Sequence, residues 1–133
     1  MLTENDITEL LVRYLLKQNY SINSHLTTTQ KGIDIEATSK DGQKLCIEVK
    51  GETSARLNSS RYGQYFTNNQ VWTHVSVAVM KTLKLMSKDK YKDCLFAMAF
   101  PLSHKPLLKE IEHATKRLGI TVYFVSLDGV EIM

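Results

Sequence analysis

From Cys94 to Phe100 the chain reads Cys-Leu-Phe-Ala-Met-Ala-Phe and is then stopped by Pro101. A strand with one face in water alternates polar and apolar side chains; this run does not, so it needs cover on both faces. That requirement predicts a central strand in a sheet packed by helices. Ile7, Leu10, Leu11, Tyr14 and Leu15 recur at helical spacing between Thr3 and about Lys17, and Thr3 with Asp6 three residues on makes an N-terminal cap. A second helix follows from Val71, Val75, Ala78, Val79, Thr82, Leu83 and Met86, with Lys81, Lys84 and Lys88 read as its solvated face. A third, capped by Ser103 and stopped by Gly119, carries Leu107, Leu108, Ile111, Ala114 and Leu118 on one side.

Strand-like runs cover 21–28, 32–38 and 43–50, with another over 120–127 and a short one at 130–133. The order is therefore α-β-β-β-α-β-α-β, which predicts the α/β class: a mixed β-sheet flanked by helices. A length of 133 residues suits a single domain, 1–133.

Hydrophobic residues make up 43% and charged residues 23%, which excludes disordered and low-complexity classes. The apolar runs fall far short of the ~20 residues that cross a bilayer, so no membrane partner is expected. Glu4 and Asp6 stand where a secretory leader needs basic residues, so a cytoplasmic location is expected. Cys46 and Cys94 form no CxxC pair, and His25, His74, His104 and His113 are scattered. Any metal is thus expected to be held by oxygen. The net charge is +3, but it is uneven: 6 basic against 7 acidic residues through Lys50, then 11 against 7. Positive charge gathers in the later part of the chain.

The chemistry is concentrated in Gly32-Ile33-Asp34-Ile35-Glu36-Ala37 and Leu45-Cys46-Ile47-Glu48-Val49-Lys50-Gly51, joined across Ser39-Lys40-Asp41-Gly42. Alternation puts Glu48 and Lys50 on one strand face, Ile47 and Val49 on the other. Whether Asp34 joins Glu48 depends on register. A three-residue loop, Lys40-Asp41-Gly42 with Gly42 left-handed, sets Asp34 directly opposite Glu48. A two-residue Asp41-Gly42 loop sends it to the far face unless a bulge intervenes. The first is favoured because it gathers Asp34, Glu48 and Lys50 on one patch. Two carboxylates a strand apart repel and need a cation, and hard oxygen ligands with room for water suit Mg2+ or Mn2+. Such an ion polarises a phosphoryl oxygen, while Lys50 positions the attacking water or offsets charge in the transition state. That chemistry fits phosphodiester hydrolysis. A bare Glu-x-Lys is also common on the wet side of a strand. The acid on the preceding strand, the glycine after the lysine and the basic-aromatic loop that follows favour function.

Gly32-x-Asp34 and Glu48-x-Lys50-Gly51 within α-β-β-β-α-β resemble the PD-(D/E)XK, or restriction-endonuclease-like, nuclease superfamily. The resemblance runs from the first helix through Phe100, with Ile33 standing where the name has proline. It implies Asp34 and Glu48 as metal ligands, the Val49 backbone carbonyl as a third, and Lys50 as the catalytic lysine. Many members add an acid from the first helix; Glu4, Asp6 and Glu9 all compete, and periodicity does not choose. A glutamine after the lysine strand often assists in such nucleases, which makes Gln70 the auxiliary candidate, with His74 one turn along and Gln64 the rival.

In the loop after Gly51, Arg56, Arg61 and Tyr62 are candidates for nucleic-acid binding, the arginines on phosphates and Tyr62, with Tyr65 and Phe66, on bases. The expected function is a metal-dependent nuclease with DNA as partner, as a homodimer or with associated protein subunits. The alternative is an inactive nuclease-fold module that binds nucleic acid or protein.

Overall fold

The computed structural model describes residues 1–26, 32–52 and 67–133. The elements are α1 (Glu4–Lys17), β1 (Ser21–His25), β2 (Ile35–Thr38), β3 (Lys44–Val49), α2 (Asn68–Met86), β4 (Leu95–Pro101), α3 (Lys105–Lys109), α4 (Glu112–Leu118), β5 (Ile120–Ser126) and β6 (Gly129–Ile132). Six strands form one mixed sheet in the order β1-β2-β3-β4-β5-β6. The pairs β3–β4 and β4–β5 are parallel and the other three antiparallel. The protein is thus α/β. None of its described helices is long and apolar enough to cross a membrane.

Helix α1 begins where the sequence says it should. The Thr3 hydroxyl accepts from Asp6 N–H at 3.1 Å while the Asp6 carboxylate accepts from Thr3 N–H at 2.9 Å, so two orphan donors of the first turn are satisfied reciprocally. Its Ile7, Leu11 and Leu15 are wholly buried on one sheet face with Ile35, Ile47, Val49, Ala97 and Ala99. The opposite face carries Met98, Phe100, Val122 and Phe124 under α2 and α3. Strand β4 therefore sends alanines towards α1 and large side chains towards α2, which is the double cover its unbroken apolar run demanded.

The β2–β3 hairpin has the favoured register. Ile35 faces Ile47 and Thr38 faces Lys44. Ser39 N–H donates to the Gln43 carbonyl at 2.8 Å, and Gly42 takes φ +85°, closing a three-residue loop. Two expectations need correction. The connection from β4 to β5 is not one helix: a 3-10 turn at Leu102–His104 leads into α3, and Ile111, at φ −114° and ψ 16°, separates α3 from α4. Ser103 is not its cap, because its hydroxyl donates to Glu52 Oε2 at 2.8 Å. The break also turns α4 so that Thr115 faces inward, while Ala114 and Leu118 are exposed.

Candidate active site

Strand β2 leaves β3 at its N-terminal end. The last paired residues are Ile35 and Ile47, and beyond them the Asp34 side chain takes over: its Oδ2 accepts from Val49 N–H at 2.8 Å. The carboxylate replaces the next rung of the ladder, so the strands part while the Val49 donor stays satisfied. Asp34 and Glu48 line the same cavity, close enough for the Asp34 charge to act on the Glu48 carboxyl.

Glu48 is the buried centre of this group, with 6% of its side chain exposed. Its Oε1 is 3.4 Å from Lys50 Nζ and 3.5 Å from Lys81 Nζ, the second ammonium reaching in from α2. Glu4, at the first turn of α1, completes the arrangement. Residues Glu4, Gly32, Asp34, Glu48, Lys50, Lys81, Lys84 and Lys88 line a single cavity of about 460 Å3. Burial, then the negative charge of Asp34, raises the Glu4 carboxyl to about 7, against the opposing pull of Lys50 and Lys81. Glu48 is pushed upward by the same two causes, with both lysines opposing.

Among the three acids left open on α1, geometry selects Glu4. Asp6 is exposed and occupied by the cap, and Glu9 is exposed. The reason is visible at Gly51, whose Cα packs against the α1 backbone: a Cβ there would come to 2.4 Å from Glu4 N and 2.7 Å from Thr3 C. The glycine after the lysine strand is what lets the first turn of α1 close over the site. That contact is tertiary, so only the pairing of a capped helix start with Gly51 hints at it in the sequence.

Lys81, Lys84 and Lys88 are on a solvated face, as the sequence predicts. They also line the cavity of the carboxylates. Val49 enters through its backbone; its side chain is fully buried under α1. Gln70 caps α2: its Oε1 accepts from Thr67 N–H at 2.7 Å and its own N–H donates to Thr67 Oγ1 at 3.3 Å. Gln70 is not among the residues lining the cavity. His74 is half-buried, and burial followed by the Lys50 charge lowers its pKa. Arg56, Arg61, Tyr62, Gln64, Tyr65 and Phe66 lie outside the described residues.

Among the described residues no three His, Cys, Asp or Glu side chains converge into a preformed ligand set. The donor chemistry nevertheless fits a hard dication, since Mg2+ is commonly bound by one or two carboxylates with water in its other positions. Asp34 and Glu48 supply two adjacent carboxylates and Glu4 a third in the same cavity. Neither a family model, nor a curated protein, nor a solved structure matches this chain, so its chemistry rests on this arrangement.

Proposed function

We propose that this protein is a Mg2+- or Mn2+-dependent nuclease of the PD-(D/E)XK type that hydrolyses phosphodiester bonds in DNA. The observation that carries the reading is the meeting of Asp34, Glu48, Lys50 and Glu4 around one cavity, with Asp34 brought to Glu48 by the hairpin register. In this reading Asp34 and Glu48, with the Val49 carbonyl, would hold the ion, and Glu4 would add a third carboxylate from the same cavity. The bound ion supplies Lewis acidity to a phosphoryl oxygen. Lys50 has 11% of its side chain exposed, so its ammonium is held in a partly desolvated place where it orients the attacking water and offsets charge on the phosphate.

The test is cleavage of supercoiled plasmid and of single-stranded DNA with Mg2+, with Mn2+ and with chelator. Metal-dependent cutting that falls by about 100-fold or more in Asp34→Asn and in Lys50→Ala supports the site. Cutting that survives both substitutions removes it. A second reading, a non-cleaving module that binds nucleic acid, draws on the fact that Glu48 already answers two ammonium groups; binding without cutting under every metal condition favours it.

A further inference from the structure

We infer that Lys81, Lys84 and Lys88 form a phosphate-binding wall, along which a nucleic-acid backbone is carried into the carboxylate cavity. The inference rests on the nuclease reading for the identity of its ligand, and it adds where on the protein that ligand lies.

The placement of charge on α2 is the first support. Solubility alone would scatter lysines over the solvent side of the helix. Instead the exposed outer positions Trp72, Val77 and Met80 are apolar, while both charged residues of α2, Lys81 and Lys84, line the cavity, and Lys88 just beyond the helix does too. The helix contains no acid to neutralise them.

Their partners are the second. Lys105, Lys109 and Lys116 each pair with a surface glutamate at 2.7 to 3.0 Å. Among the described residues Lys84 and Lys88 have no acidic partner, and the segments outside the described residues contain no Asp or Glu. Lys81 has only the shared Glu48 oxygen. The cavity's three carboxylates, Glu4, Asp34 and Glu48, face these three lysines and Lys50, which leaves one net positive charge and favours an anion from outside.

Spacing fits a polymeric one. Lys81 and Lys84, three residues apart on α2, lie on one helix face, and Lys88, two residues past the helix end at Met86, lines the same cavity. Several cations along one cavity suit a ligand that carries several phosphates. Lys81 stands nearest the carboxylates, its Nζ 3.5 Å from Glu48 Oε1.

The test is fluorescence anisotropy of a labelled DNA duplex and of its single strand with the full chain, in Ca2+ to hold off cutting, titrated with NaCl. Lys84→Ala/Lys88→Ala is expected to weaken binding about 10-fold or more and to reduce the log–log salt slope by about 2, since each lost phosphate contact removes about 0.9. Lys81→Ala is expected to reduce it by about 1. Lys109→Ala/Lys116→Ala, on α3 and α4, is expected to bind as wild type. An unchanged slope in the Lys84→Ala/Lys88→Ala protein with native circular dichroism overturns the inference, as does a wild type that binds no DNA but captures an acidic polypeptide such as polyglutamate. If wild type cuts plasmid while the double variant binds and cuts equally well, the wall is wrong and the nuclease reading stands. If wild type binds with the expected losses yet never cuts, the wall stands and the nuclease reading fails.

Discussion

Gly51 touches the backbone of Glu4 so closely that a methyl group on its Cα would lie 2.4 Å from the Glu4 nitrogen. The atoms met are main chain, so no side-chain rotation relieves the clash. Gly51→Ala is expected to push the first turn of α1 away and to cost about 1–3 kcal/mol, as overpacking does. Urea denaturation measures the loss. The same shift withdraws Glu4 from the cavity, so cleavage should fall by more than stability explains. Glu9→Ala, on the exposed side of α1, should change neither.

Asp34 serves structure and chemistry through different properties, and two substitutions separate them. Asp34→Ala leaves the Val49 N–H without its acceptor and is expected to destabilise by about 1–3 kcal/mol. Asp34→Asn keeps an acceptor oxygen but loses the charge, so its melting temperature should stay near wild type while metal-dependent cutting disappears. Equal thermal losses in the two variants would show that the hydrogen bond matters less to the fold than the 2.8 Å contact implies.

The raised carboxyls make metal-free stability depend on pH. Glu4 titrates at about 7 in the folded chain against 4.5 for the ordinary group, so the folded state holds the proton more tightly than the unfolded one. Its favourable contribution is fully present below 4.5 and is lost as pH rises through 7. Glu48 acts in the same direction. His104 acts oppositely: burial, then the His74 charge, lowers it from 6.5 to about 4, so its contribution is present above 6.5 and lost as pH falls through 4. The melting temperature of chelated protein should therefore decline between about pH 4.5 and about pH 7, with His104 opposing the decline up to 6.5, and Glu4→Gln should flatten it. Millimolar Mn2+ should restore stability near pH 8 and do little near pH 5, where protons compete for the carboxylates.

The two cysteines are neighbours across β3 and the start of β4. Burial, then contact with Cys94, raises the Cys46 thiol to about 12. Almost no thiolate exists at neutral pH, and the thiolate is the reactive form. In native protein Ellman's reagent should modify half-buried Cys94 faster than Cys46, with Cys46 reacting fully only after urea is added. Rapid native reaction of both thiols would contradict this.

What the sequence disclosed followed from local chemistry. The capping box of α1 involves residues three apart, the Gly42 turn sets the hairpin register, and the unbroken β4 run announces two covered faces. These interactions do not need the rest of the chain to be placed. The choice of Glu4 over Asp6 and Glu9 was hidden because it depends on Gly51, distant in sequence. The break at Ile111 was hidden because the apolar spacing from Leu107 to Leu118 reads as one helix. For Lys81, Lys84 and Lys88, periodicity placed them together on one face but could not say that the facing wall would be the carboxylates of another strand.

Fully ionised, the cavity holds three negative side chains, Glu4, Asp34 and Glu48, against four positive ones, Lys50, Lys81, Lys84 and Lys88, a surplus of one positive charge. A dication arriving alone would raise that surplus to three, whereas one arriving with a polyanion would be electrically welcome. Ion titrations of the isolated protein should thus understate affinity, and the two ligands should each tighten the other's hold, as reciprocal linkage requires.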